Sequence, residues 1–270
     1  MLKFRFIVFH IVFLLAMFWI APTRESLWLG FALYWLRMFG VTAGYHRYFA
    51  HRTYKTSRWF AFVLAWLAQS SAQRGVIWWA SNHRHHHRFS DMPQDLHSPV
   101  TGTLFHAHVG WLWASESYCV RKNATDLERC AELVWLNRYP MTPAIVLAIC
   151  CYLWMGWAGL VYGFGISTIV LFHGTFTINS LTHVWGSRRY QTKDQSRNNF
   201  WLALITMGEG WHNNHHRYMR STRQGFYWWE IDPTFYVLNV LSWFRLVWEL
   251  RPVPTSIIEE GQSESRLTSV

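Results

Sequence analysis

Cysteine is scarce and poorly placed for chemistry. The four residues Cys119, Cys130, Cys150 and Cys151 offer no CxxC pair and no zinc-ribbon spacing, and two of them lie inside an apolar run. This argues against a disulfide framework or a thiolate site and leaves them as packing residues. A phosphate loop and a dinucleotide fingerprint are also missing. Basic residues alternate with apolar spans and no nucleic-acid motif is present, so nucleic acid is not the expected partner. What the chain has instead is apolar surface. With 51% hydrophobic and 19% aromatic residues it fits no ordinary soluble surface, and its 19 tryptophans suit the aromatic belts of a water–lipid boundary. A net charge of +10 suits anionic headgroups or an acidic protein partner.

The expected architecture is an all-α membrane protein of four spans in two hairpins, with a cytoplasmic helical cap. Lys3 and Arg5 precede an apolar run over about 6–21. Pro22 follows with no small-x-small cleavage site, so the run reads as a retained membrane helix rather than a signal peptide. A second span covers about 27–44, interrupted by Arg37. Eleven Lys/Arg between Tyr45 and Tyr139, against Arg24 alone in the hairpin turn, place this region and the N-terminus on the cytoplasmic side. The apolar stretch Trp59 to Ala68 is too short to cross a bilayer of ~30 Å. Spans three and four are read at about 141–162 and 163–181, with glycines between them for close packing or a turn. Segments 45–140 and 182–250 form the cap, in which Pro233 to Leu250 reads as an amphipathic helix on the membrane face. Residues 1–250 make one domain, and 251–270, rich in Ser and Glu, reads as a flexible tail.

Histidine carries the chemistry. Three clusters fall on one side of the expected membrane: His46 and His51; His83, His85, His86 and His87; and His212, His215 and His216. The second and third share His-x-x-His-His spacing, which puts three imidazoles on one face of a helix and leaves His85 aside. His46 and His51, five apart, diverge by about 140° on a regular α-helix, so that pair is expected to straddle a helix end. Asn179 and His183 lie at i and i+4 at the end of the fourth span, where unpaired polar groups are costly. Nine histidines exceed the needs of one ion, and two metals follow. All-nitrogen donors suit iron, zinc, copper or nickel and argue against magnesium or calcium. A hydrolytic zinc site calls for a nearby general base, and Glu209 is the only obvious carboxylate. Iron with open positions activates dioxygen instead. A metal transporter would place its ligands at mid-membrane rather than beyond the spans on one face.

The combination His46-x4-His51, His83-x2-His86-His87, Asn179-Ser180-x2-His183 and Glu209-Gly210-Trp211-His212-x2-His215-His216 resembles the membrane fatty acid desaturases, in the stearoyl-CoA, delta-9-like branch. Gly44-Tyr45-His46-Arg47 and His108-Val109-Gly110-Trp111 agree, and the likeness runs from about Thr42 to about Trp228. It implies two Fe ions held by His46, His51, His83, His86, His87, His183, His212, His215 and His216, with Asn179 reaching one iron through water. It implies O2-dependent insertion of a cis double bond, at C9–C10, into a saturated acyl chain for unsaturated fatty acid biosynthesis, with no separate acid–base residue. A di-iron hydroxylase or ketolase is the neighbouring alternative. The likeness also implies a bent substrate tunnel shaped by Trp79 and Thr175, with Gly30 and Tyr34 at its floor and Tyr34 blocking longer chains. Ser81, Asn82, Ser115 and Glu116 stand where acyl-CoA users place headgroup-binding charges, which leaves acyl-CoA, a lipid or a carrier protein open as the acyl donor. The chain has no flavin, nicotinamide or haem motif and no fused cytochrome b5-like domain, so electrons are expected from an external acidic donor such as a ferredoxin or a cytochrome b5-like protein.

Overall fold

A computed structural model of the chain describes residues 2–113 and 123–267; Ser115, Glu116 and Cys119 lie outside them. The architecture is helical apart from one two-residue strand pair. Helix α1 (Leu2–Trp19) turns at Pro22 into α2 (Arg24–Phe39). There Thr23 and Ser26 form a reciprocal capping box that satisfies two backbone donors the first helical turn would otherwise leave free. Without interruption α2 passes into a π-helical segment, Gly40–Ala50. After β1 (Lys55–Thr56) come α3 (Arg58–Gln69), α4 (Val76–Phe89), the short α5 (Leu104–His108) and α6 (Ala131–Arg138). Helix α7 (Thr142–Ala158) leads through a second π-helical segment, Gly159–Ile166, into α8 (Ser167–Ser180). The short α9 (Phe200–Ile205) and α10 (His212–Arg217), α11 (Pro233–Trp243), β2 (Val247–Trp248) and α12 (Thr255–Leu267) complete the chain. β1 and β2 pair antiparallel, Lys55 opposite Trp248 and Thr56 opposite Val247, fastening the C-terminal part to the first cap segment.

Among the described residues one stretch, Thr142–His183, is long and apolar enough to cross a membrane, and a shorter apolar helix covers Phe4–Trp19. The 42-residue stretch is not straight. Gly156 adopts φ 58°, ψ −147°, a conformation open essentially to glycine alone. The break therefore falls at Met155–Gly156, earlier than the expected junction between Tyr162 and Gly163, where the chain stays helical and packs on α2. Apolar side chains face outward along α1 (Ile11, Val12, Leu15, Phe18), α2 (Leu27, Trp28, Phe31) and α7 (Ile145, Ile149, Leu153, Trp154), an exposed apolar surface of the kind that marks contact with lipid or protein. Arg37, by contrast, is turned wholly inward. It donates to Leu33 O at 3.0 Å and Thr168 Oγ1 at 2.6 Å, and also to Ser167 Oγ, tying α2 to α8.

Two further expectations are corrected. The segment beyond residue 250 is not loose as far as it is described. Ile257 of α12 is buried with Tyr190, Phe226 and Tyr227, the Tyr190 and Tyr227 hydroxyls donate to the Ile257 and Ile258 carbonyls at 3.0 and 2.9 Å, and Arg217 pairs with Glu260 at 2.7 Å. The polar composition of this segment hid a single apolar face. The helix expected to run from Pro233 to Leu250 stops at Trp243, because residues 247–248 are taken up by the strand pair.

A Cβ at position 156 would meet nothing within 4 Å, so substitution there tests backbone conformation alone. Gly156→Ala is expected to lower stability by about 1–3 kcal/mol, read as a reduced unfolding midpoint in detergent; an unchanged midpoint would show that the turn is not made there.

Candidate metal centre

The first histidine pair is brought together by the π-helical segment. Its i→i+5 bonding, seen where His51 N donates to His46 O at 3.1 Å, sets residues five apart almost one turn apart. The two rings lie 4.8 Å apart rather than diverging. Arg84 of α4 clamps this segment: its guanidinium donates to Ala50 O at 3.0 Å and Phe49 O at 2.7 Å while pairing with Asp126 at 2.7 Å. The start of α4 is satisfied by side chains from elsewhere, Gln69 Oε1 accepting from Val76 N and Asn137 Oδ1 from Trp78 N.

Helix α10 has six residues, too few to stand alone in water. The two asparagines between its histidines hold it. Asn213 Oδ1 accepts from the backbone of Arg189 and Tyr190 at 2.8 and 2.7 Å. Asn214 N donates to Asn198 Oδ1, and the Asn214 amide donates to Gln224 O and Glu230 Oε2.

All nine predicted histidines converge, in two groups. His46, His51, His83, His87 and His215 present ring nitrogens to one point, and His86, His183, His212 and His216 to another, the donor atoms of each group lying within 4.8 Å of one another. Each His-x-x-His-His helix serves both groups: α4 gives two ligands to the first and one to the second, and α10 the reverse. The Nε2–Nε2 separations are 3.0 Å for His46–His215, 2.8 Å for His51–His83, 3.0 Å for His83–His87 and 2.9 Å for His87–His215. Nitrogens at right angles around an ion ~2.1 Å away stand about 3.0 Å apart, so these are the edges expected of a shared metal. Four Nδ1 atoms face carboxylates: His46 on Glu209 at 2.7 Å, His86 on Asp95 at 3.0 Å, His183 on Asp91 at 2.9 Å and His216 on Asp194 at 2.5 Å. A carboxylate on Nδ1 fixes the tautomer and leaves Nε2 as a bare donor. His216 Nε2 is buried with no hydrogen-bond partner. The donor set fits two transition-metal ions.

Burial, followed by the crowding of neighbouring imidazoles, holds the His51, His83, His87, His212 and His215 rings well below the usual histidine range. Neutral imidazole is the form that binds metal. Burial works against the charge on Asp95 and Asp194, yet contact with His86 and His216 keeps both carboxyls well below the ordinary range.

A cavity of about 290 Å³ adjoins the first group. His46, His83, Asn179, Trp79 and Thr175 line it. Trp79 stacks between Tyr45 and His83, and Gln73 Nε2 donates to Thr175 Oγ1 at 3.0 Å. Gly30 and Tyr34, expected at the floor, do not line it. A Cβ on Gly30 would stand 2.6 Å from the Tyr162 carbonyl oxygen, so Gly30 serves helix packing. The Tyr34 hydroxyl is turned to Ile205 O at 2.7 Å. Met38, one turn on, lines the cavity in its place. Ser81 is fully buried and Asn82 is bonded to Trp78 O, so neither presents a headgroup contact at the surface. The histidines set aside find other contacts: His85 with Gln94 O, His106 with Leu96 O and His108 with His173.

Such a two-pocket arrangement beside an apolar cavity can be set against known proteins. The family profile described as fatty acid desaturase matches residues 22–242. The chain belongs to the fatty acid desaturase family. Similar proteins include an acyl-CoA C20 Delta5-desaturase of Anemone leveillei, 37% identical over 95% of this chain and 85% of the relative. A Delta-9 acyl-lipid desaturase 2 of Arabidopsis thaliana is 37% identical over 91% and 80%. A palmitoyl-monogalactosyldiacylglycerol delta-7 desaturase, chloroplastic, of the same plant is 34% identical over 79% and 58%. The desaturase is therefore an oxidoreductase of lipid metabolism, of a family known to be metal-dependent.

Motif reading missed Asp91, Asp95 and Asp194. A signal was available for two of them: acidic residues number only 15 in the chain, and Asp91 and Asp95 closely follow His83 to His87, whereas Asp194 stands apart from every histidine cluster in sequence. It missed Arg47, whose buried guanidinium grips Glu209 at 3.0 Å, and Met38, which nothing in the motifs marks.

In metal-stripped desaturase the depressed histidines refuse protons that the unfolded chain accepts below about pH 6.5. The unfolded state then binds more protons, so stability falls as pH drops, on the order of 1 kcal/mol per pH unit for each such ring. His86, raised through Asp95, opposes this with one group. The unfolding midpoint of the stripped protein is expected to fall steeply from pH 7 to pH 5; a flat profile would contradict neutral packing of the rings.

Proposed function

We propose that this desaturase inserts a cis double bond, at C9–C10, into a saturated acyl chain, using two irons held by the nine histidines, O2 and electrons from an external donor. The observation that supports the reading is the cavity, which Met38, Trp79, Thr175, Asn179, His46 and His83 line together. An acyl chain laid in it has its bend between Trp79 and Thr175 and two methylenes beside the five-histidine pocket. Bound irons supply O2 activation: a saturated chain, O2, two electrons and two protons give the unsaturated chain and two waters. The protein's part is orientation and exclusion of water. Gln73 holds Thr175, Tyr45 and His83 hold Trp79, and the rigid bend fixes which carbons reach the metals. Asn179 is placed to hold a water toward one metal. The similar proteins include an acyl-CoA and an acyl-lipid desaturase, and both donors are substrate classes for this chain.

The outward apolar faces of α1, α2 and α7 support a reading of four crossings as two hairpins, with the metal pockets in a cytoplasmic cap. A small acidic ferredoxin or cytochrome b5-like protein suits the basic charge of that cap.

Met38 is the α2 residue that lines the cavity, and its methyl group lies against Gly174 beside the Tyr34 hydroxyl. Met38→Ala is expected to admit chains longer by about two to three methylenes, each favoured by ~0.8 kcal/mol of burial. Tyr34→Ala should change the chain-length profile less; the reverse ranking would displace Met38 from the floor. Expression in a host lacking unsaturated fatty acids, with lipids read by gas chromatography and double-bond position by mass spectrometry, should yield C9–C10 cis products. A hydroxylated product or another bond position would overturn the assignment.

A further inference from the structure

The carboxylates behind the histidines are unevenly shared. The five-histidine pocket has one, Glu209 on His46, and Glu209 is answered by Arg47, with Nε and Nη2 each 3.0 Å from Oε1. Arg47 in turn pairs with Asp232 at 2.9 Å and donates to Thr222 O. Counting Glu209, Arg47 and Asp232 leaves one net negative charge behind this pocket. The four-histidine pocket has three carboxylates, Asp95 on His86, Asp91 on His183 and Asp194 on His216. Among the described residues no lysine or arginine pairs with any of the three carboxylate groups, Arg188 Nη2 reaching only the Asp194 backbone oxygen at 2.8 Å, and the remaining contacts of the carboxylates are neutral donors. Ser98 Oγ and Gln195 N donate to Asp91, Asp91 N and His97 N to Asp95, and Ser196 N to Asp194. Three negative charges therefore stand one imidazole away from one metal, and one net charge from the other.

A carboxylate that accepts the Nδ1 proton of a ligand makes that imidazole a stronger donor. Both effects, stronger donation and unscreened negative charge in a buried setting, favour the higher oxidation state of the metal it serves. We infer that the two pockets are redox-unequal: the five-histidine iron is reduced first, and the aspartates Asp91, Asp95 and Asp194 hold the four-histidine iron ferric until a second electron arrives. A one-electron carrier then converts Fe3+ to Fe2+ in the pocket bordered by the substrate cavity, where His46 and His83 line the wall, before the same change occurs in the other. The aspartates act as positioning residues through their histidines. The inference rests on the di-iron reading above.

The test is a reductive titration of the iron-loaded protein in detergent with dithionite and mediators, followed by EPR of the mixed-valence state and by Mössbauer spectra of 57Fe. The wild type should carry two irons per chain and pass through a mixed-valence state that dominates at one electron. Asp194→Asn keeps the hydrogen-bonding shape and removes the charge. It should ease the second reduction, lowering the stability of the mixed-valence state by about tenfold, with the first step unmoved. Asp91→Asn should do the same, which covers loss of iron in either variant. Glu209→Gln should move the first step instead. Equal shifts of both steps in the aspartate variants, or a shift of the first alone, overturn the inference and leave the di-iron reading intact. Fewer than two irons in the active wild type overturn the di-iron reading as well.

Discussion

Nine imidazoles packed nitrogen to nitrogen cannot share a buried space unless something positive lies between them. In the five-histidine group ring nitrogens stand 2.8–3.0 Å apart, and His46, His86, His183 and His216 have their other nitrogens turned to carboxylates; bare nitrogens so close repel as lone pairs and cannot all be protonated at that burial. Metal ions would resolve the conflict, and many contacts around the histidines hold it in place. Arg84 clamps the π-helical segment to α4, Asn213 and Asn214 fasten a six-residue helix, and Arg47 sets the carboxylate that orients His46. A pocket of this kind gains affinity from being held rigid before the ion arrives, since the cost of gathering the ligands is met by folding.

The same scaffold positions the substrate cavity. Trp79 lies one turn before His83 on α4, and Thr175 and Asn179 lie one turn apart on α8, so the helices that carry ligands also carry the walls. Displacing either helix would move the cavity wall and the histidine groups together. The basic composition of the chain, read at first as a surface property, takes on a local meaning: acidic residues are few, and four of them stand behind the histidines.

The gathering of these histidines was legible in the sequence because helical spacing is short-range; His83, His86 and His87, and their counterparts on α10, needed only a helix to share a face. The division of each triplet between the two groups was not legible, since it depends on how α4 and α10 cross. His46 and His51 could not be aligned by α-helical geometry, and a π-helical segment has no signature in a single sequence. Asp91, Asp95 and Asp194 reach their partners through loops, and the floor of the cavity moved from Tyr34 to Met38 because a hydroxyl found a carbonyl on α9. Gly156 rather than the Tyr162–Gly163 junction makes the turn, a choice between several glycines that only backbone geometry decides.

The most direct measurement is anomalous X-ray diffraction from crystals of the iron-loaded desaturase, collected at the iron absorption edge. Two peaks are predicted per chain, one enclosed by His46, His51, His83, His87 and His215 and the other by His86, His183, His212 and His216. A single peak, or a second peak displaced to Asp95 and His97, would contradict the two-pocket account.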